Sequence, residues 1–342
     1  MWALENRTPF AADRTWVRDA DGAEVWVVAV KATYDILPDG SLHVSPGQPP
    51  VNTGPGKHPG LESLQHETDL GPSKAATDII LNGHAFAQSE RPVFELTVGF
   101  RVGTLLRSAR VHGDRFWQPG LLFSAASQAA PFLSMPLVYE RAFGGDSPDS
   151  KRNSGNPVGR GIVPAKDGRT WLPNIETPDN PVRDAGDSPP VTGFGAIPVH
   201  WPGRRRYAGT YDRDWLESRR PLAPRDLDPR FWQIAPPEQQ VTGRLRGGEE
   251  VVLVNLTRPG YAQDGRLAFH LPRISLAFET RFLDGTRERC RPAIHTLILE
   301  PDFPRVSVVQ HMTLSCHAKV NLLDRTTITQ KQRPLDRIAR VA

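Results

Sequence analysis

The chain has 342 residues, with 42 Lys or Arg against 38 Asp or Glu, a formal charge of +4, and 29 glycines and 33 prolines. That length holds one large domain or two ordinary ones, with a core that needs no metal or disulfide staple. Gly and Pro run above their usual shares of about 7% and 5%, which favours turns over long helices, and the arginines alternate with acids ("RDW", "RDLD") instead of forming the stripe a nucleic-acid partner needs.

The opening "MWALENRTPFAADRTW" lacks a basic stretch followed by an apolar one, and no apolar run is long enough to cross a membrane, so a cytoplasmic protein is expected. Residues 1–140 form a first zone of short strands. "AEVWVVAVKATYDI" (Ala23–Ile36) is rich in Val, and "PDGSLHV" adds a turn and a second strand. "SPGQPPVNTGPGKHPG" (Ser45–Gly60) is too punctuated for a regular element. "DIILNGHAFA" (Asp78–Ala87), "PVFELTVGF" (Pro92–Phe100) and "LLRSARVHGDRFW" read as a continuing meander.

Residues 141–240 are nearly free of periodic apolar signal, and so long a loop zone is either functional or disordered. Trp171, Phe194, Trp201, Tyr211, Trp215, Phe231 and Trp232 supply apolar area that a disordered linker lacks. One short helix is expected, with Asp212 as N-cap of "RDWLESRR" and Pro221 as its stop. In residues 241–342 the strands return: "EEVVLVNL", "RLAFHLP", a hairpin through "LDGT", and an alternating run from Arg305 to Ser315. The expected fold is mainly β, with sandwich-like antiparallel sheets, a long ordered Gly/Pro-rich loop region and very little helix. The three zones build one compact unit.

No metal or cofactor is expected. His58, His66, Glu67, Asp69 and His84 fall within one stretch, but without the paired spacing of a zinc site. There is no GxSxG elbow, Cys290 and Cys316 sit in strand-like segments, and "HGD" (His112–Asp114) reads as a hairpin corner. "GPGKHPG" fails the phosphate-loop pattern, and "NPVGRG" lacks the strand before and the helix after. "YERAFGGDSPDSKRNSGNPVGRG" (Tyr139–Gly161) is therefore read as a braced corner. Asn156 and Asn174 form side-chain turns, while Arg141, Arg160 and Glu176 reach carbonyls or each other. "WPGRRRYAGTYDRDW" concentrates Trp, Arg and Tyr, the residues enriched at interface hot spots. Trp201, Arg205, Arg206, Tyr211, Asp212 and Trp215 join the candidates for partner contact there, with a core-capping role equally open.

Eight fragments in order carry a resemblance: "NRTPF", "VKATYDI", "DLGPSKAATDIILNGHAFA", "YERAFGG", "NPVGRG", "LPNIE", "WPGRRRYAGTYDRDWLESRRPLAPRDLDPRFWQIAPPEQQ" and "HTLILEPDFPRVSVV". Together they resemble the domain of unknown function 2169 family over nearly the whole chain. The departures are His295, where the family often has Asp, and Gln310-His311 in place of Trp-Arg. The resemblance implies a non-catalytic type VI secretion adaptor or chaperone. Such a protein binds a cognate effector and helps load it onto a VgrG-type spike or PAAR-type tip, without nucleic acid or membrane. Two alternatives stand beside it: an enzyme holding an anionic substrate through the Arg141–Arg160 loop, and a structural part of the secretion apparatus.

Overall fold

The computed structural model describes residues 2–89, 91–120, 124–146 and 155–331. The strand Glu24–Ile36 is central. Its Val, Trp and Ala side chains are buried along nearly its whole length because both faces are covered. Trp26, Val28, Val30, Ala32 and Ile36 point into the main core. Val27 and Ala29 point the other way, into a second cluster with Val51, Leu70, Ile298 and Val309. Double burial is why this stretch reads as a dense apolar run rather than a strict alternation.

Around this strand lies a seven-stranded sheet. Its path is Gln240–Val241, Thr77–Leu81, Ala293–Glu300, Arg305–Ser315, Glu24–Ile36 and Ala11–Arg18, and Leu42–Val44 pairs with the far end of the central strand. Two further sheets complete the core. One runs Ile175–Glu176, Leu105–His112, Glu95–Val102, Glu250–Val254, Arg266–His270; the other runs Ala3–Asn6, Leu323–Gln330, Leu276–Phe282, Arg287–Cys290. Phe100 and Leu253 from the first, and Phe278 and Ile328 from the second, share one continuous apolar cluster with Trp26 and Val28. The fold is mainly β, with mostly antiparallel sheets stacked as in a sandwich, and its first and last zones interleave in the same sheets.

The loop zone covers the other face of the large sheet. Ile79 and Leu81 face the main core, while Ile80 packs with Leu64, Ala196, Ile234 and Ala235. The expected helix is present as Arg213–Ser218, with the Asp212 carboxylate accepting from Trp215 N at 2.9 Å. A second short helix, Pro202–Arg205, was not expected; Pro202 opens it, a position where the missing N–H costs nothing. The "LDGT" turn closes the Leu276–Phe282 and Arg287–Cys290 hairpin, with Gly285 at φ 88°.

The expected single meander does not form. Thr77–Leu81 enters the large sheet beside Ala293–Glu300, whereas His84–Phe86 turns away to pair with Ser134–Pro136. The break falls at Asn82-Gly83, and Asp302 fixes it by accepting from His84 N at 3.0 Å and contacting His84 Nδ1 at 2.7 Å. Only Glu95–Val102 and Leu105–His112 keep the meander geometry. Within Ser45–Gly60, Gly56–Lys57 does form a two-residue strand, against Leu64–His66.

Candidate functional site

The glycine-rich corner is built on an acid that sequence reading had placed in a mere hairpin turn. Asp114 Oδ1 accepts from Arg141 Nη1 at 2.6 Å, Arg160 Nη1 at 3.1 Å and Asn174 Nδ2 at 3.1 Å. Burial opposes the charge, but the Asn174 donor and the two guanidiniums hold the Asp114 carboxyl below its ordinary range. Arg160 Nε also donates to Glu140 O, and Asn174 Nδ2 to His112 O. Asn156 is fully buried and donates to the carbonyls of Tyr139 and Phe143 at 2.9 and 3.1 Å. These are the irregular carbonyls that a loop must satisfy internally.

The glycines serve close approach here. A Cβ on Gly159 would lie 2.5 Å from Asn156 Nδ2 and 2.7 Å from Gly144 Cα. Phe143–Gly144 and Arg160–Gly161 pair as a two-residue parallel bridge. Of the quoted stretch, residues 147–154 lie outside the described residues.

A second acid, Glu140, ties the corner to the 60s loop, accepting from Glu62 N, Ser63 N and Ser63 Oγ at 2.7–2.8 Å. Glu176 is buried and accepts from Arg115 Nη2 at 2.5 Å. His112 lies 3.4 Å from Glu95 and 3.8 Å from Glu176. Burial, with Arg115 and Arg110 adding, nevertheless pushes its imidazole down to about 4, so these are contacts of a neutral ring at pH 7.

The rest of the loop zone is pinned to the sheet by buried charges. Lys74 Nζ meets Asp78 Oδ2 at 2.7 Å, and Asp78 also accepts from Gln233 Nε2, Ile234 N and Ala235 N. Arg204, 4% exposed, donates to Glu67 at 2.9 Å and to the carbonyls of Ile197 and Phe231. Trp201 is buried edge-on against Tyr139, with ring centroids 5.2 Å apart. On the outside, Tyr211 is 55% exposed and meets Trp215 edge-on, and the Trp215 indole N–H donates to Leu222 O. Arg205 and Arg206 are exposed, with Arg206 lying over the Tyr207 ring.

Between this shelf and the large sheet lies an apolar groove of 520 Å³. Val17, Val25 and Val27 form its floor, and Leu222, Leu227 and Trp232 its opposite wall.

The candidates thus divide. Arg141, Arg160 and Asn174 converge on Asp114, with Asn156 and Glu176 beside them. Asn156, Asn174, Glu176 and Trp201 are buried, which fits the bracing and core-capping roles the sequence left open for them. Arg205, Arg206, Tyr211 and Asp212 face solvent, and Trp215 is half-buried. Sequence reading missed Asp114, Glu140, Lys74, Asp78 and Arg204. The acids of "HGD" and "YER" were visible, but not their partners. The suspected metal residues have other company: Glu67 with Arg204, Asp69 with Lys31 and Asn52 N, His84 with Asp302. Among the described residues no three His, Cys, Asp or Glu side chains converge as a metal site. Cys290 and Cys316 are free thiols, both pushed up by burial.

Fold and site together define a class: a β scaffold one face of which carries a charge-braced loop platform with an apolar groove beneath it. The chain belongs to the DUF2169 family of uncharacterized proteins conserved in bacteria, whose model matches residues 21–311. No curated protein and no solved structure matches it. No helix among the described residues is long and apolar enough to cross a membrane.

Proposed function

We propose that this protein is a type VI secretion adaptor or chaperone that holds a cognate effector and helps mount it on a VgrG-type spike or PAAR-type tip, acting in the cytoplasm without catalysis. The observation that carries the reading is the division of labour in the loop zone. Its inner charges brace irregular backbone, while its outer surface leaves Arg205, Arg206, Tyr211 and Leu216 exposed, and its Leu222, Leu227 and Trp232 line an apolar groove. Arginine and aromatic side chains around an apolar anchor site suit polypeptide recognition. The family resemblance supplies the secretion setting.

The corner itself argues against gripping an anion. Arg141 and Arg160 already share the Asp114 carboxylate, so an anionic substrate there would have to displace it. The test is co-purification of the tagged protein with each spike, tip and effector product of its own gene cluster. Capture of at least one is expected. Failure with all of them, in cells expressing the cluster, rejects the adaptor role.

A further inference from the structure

The four-stranded sheet has one side in the core and one in solvent, and its register fixes what the outer side shows. Ala3–Asn6 and Arg287–Cys290 are its edge strands, Leu323–Gln330 and Leu276–Phe282 its inner ones. Leu276, Phe278, Thr280 and Phe282 are buried, so Ala277, Glu279 and Arg281 turn outward. Arg281 stands directly opposite Arg325 on one side and Arg287 on the other. Like charges so placed, with Cβ atoms about 4.5–5.5 Å apart, destabilise a sheet. The three side chains are 52–62% exposed, so the row serves no internal contact that needs burial. Charge on an edge strand guards against wrong pairing, but Arg281 and Arg325 lie on the inner strands, which have no open edge to guard.

Carboxylates do not balance this face. Glu5 meets Arg7 at 2.6 Å and Arg325 at 3.3 Å, and Glu279 meets Arg289 at 2.8 Å and Arg287 at 3.4 Å. Asp324 stands 3.8 Å from Arg281, while Glu288, opposite buried Thr280, belongs to the other side. Arg291 and Lys331 are exposed and form no ion pair among the described residues. With every carboxylate counted as fully charged, seven cations face three acids, an excess as large as the formal +4 of the whole chain. A groove of 550 Å³ opens here, with Arg7, Arg289, Arg291 and Lys331 around the single carboxylate of Glu279. Thr327, Thr329 and the half-buried Cys290 also line it.

The chemistry of the face selects among polyanions. Its outward positions are Arg, Lys, Glu, Thr and Ala, with no aromatic ring for base stacking and no large aliphatic for lipid insertion. Arg287, Arg289 and Arg291 recur at every second residue, about 6.6 Å apart, the repeat that one side of an extended chain presents. Residues 332–342 do not complement it, since they carry three arginines and one aspartate.

We propose that this arginine face binds an extended acidic segment of a protein partner, its alternate carboxylates meeting Arg287, Arg289 and Arg291 and the groove flanked by Arg7 and Lys331. Arginine–carboxylate pairs fix orientation and steer encounter. That the partner is a secretion effector rests on the adaptor reading; the charge of the face does not.

The full chain is titrated with a fluorescent peptide alternating Glu and Thr, and in parallel with a Lys–Thr peptide, oligo(dT) and vesicles containing phosphatidylserine. The Glu–Thr peptide binds, is released by high salt, and slows alkylation of Cys290 severalfold, whereas the Lys–Thr peptide does none of these. The exposed double variant Arg281→Thr/Arg291→Thr binds the Glu–Thr peptide on the order of tenfold more weakly, with a urea midpoint at or above that of the wild type because a like-charge contact is gone. No binding, equal binding of both peptides, tighter binding of oligo(dT) or vesicles, or undiminished binding by the variant overturns the proposal. A lowered midpoint makes the row structural and overturns it too. Effector capture is scored separately. Capture lost in the variant assigns the segment to that effector, and peptide binding with no capture by the wild type removes the adaptor role alone.

Discussion

Asp78→Asn is the sharpest test of how the loop platform is held. Asp78 is fully buried, and the groups facing it are donors: Gln233 Nε2 at 2.9 Å, Ala235 N at 3.2 Å, Ile234 N at 2.9 Å and Lys74 Nζ at 2.7 Å. An amide places a donor against at least one of these and leaves the Lys74 ammonium, itself 3% exposed, without its counter-charge. Breaking one side of a buried pair costs about 3–5 kcal/mol, a large part of a typical total of roughly 5–15 kcal/mol. Urea unfolding should show the extrapolated unfolding free energy fall by that amount, with the midpoint falling in proportion. Trypsin should also cut faster at Arg225 and Arg230, because Asp78 is what anchors residues 233–235 to the sheet. Lys74→Met with Asp78→Leu removes both charges together and should cost less than the two single changes summed. A loss from Asp78→Asn under about 1 kcal/mol, the size of an ordinary substitution, would refute the anchoring argument.

Three further outcomes are expected. Gly159→Ala forces its Cβ to 2.5 Å from Asn156 Nδ2 and 2.7 Å from Gly144 Cα, so it should destabilise by about 1–3 kcal/mol; a neutral result in thermal unfolding counts against close approach as the reason for glycine. Asp114→Ala should cost only about 1–2 kcal/mol, because the carboxylate is 40% exposed and its ion pairs are partly screened; a loss as large as that of Asp78→Asn contradicts this ranking. His112 sits at about 4 against an ordinary 6.5, so the unfolded chain gains its proton first as pH falls. Its stabilising contribution is intact above 6.5 and lost between 6.5 and about 4, after which His311, pushed down to about 3, extends the decline. His112→Gln should flatten the stability profile between pH 6.5 and 4, and an unchanged slope in urea titrations rejects that assignment.

Much of the scaffold is legible in the sequence where both faces of a strand are buried. Glu24–Ile36 and Ala293–Glu300 announce themselves because most of their positions are apolar. Ala11–Arg18 does not, because an edge strand with Asp13, Arg14, Thr15 and Arg18 carries the charge that keeps edges from pairing wrongly. The parallel pairing of Thr77–Leu81 with Ala293–Glu300 has no local signal at all, since its partners are joined only through the fold. The corner was half legible. Asn156 and Asn174 are residue types that satisfy loop backbone, but their hub, Asp114, meets Arg141, Arg160 and Asn174 from 27, 46 and 60 positions away.

The same limit explains why the groove was invisible. Irregular backbone lying on a sheet must have its polar groups satisfied from within, and Arg141, Arg160, Arg204 and Arg219 are taken up by that bracing. Arg204 and Arg225 look alike as letters; one is buried against Glu67 and two carbonyls, the other is exposed and forms no ion pair among the described residues. Only the fold sorts the structural cations from the spare ones.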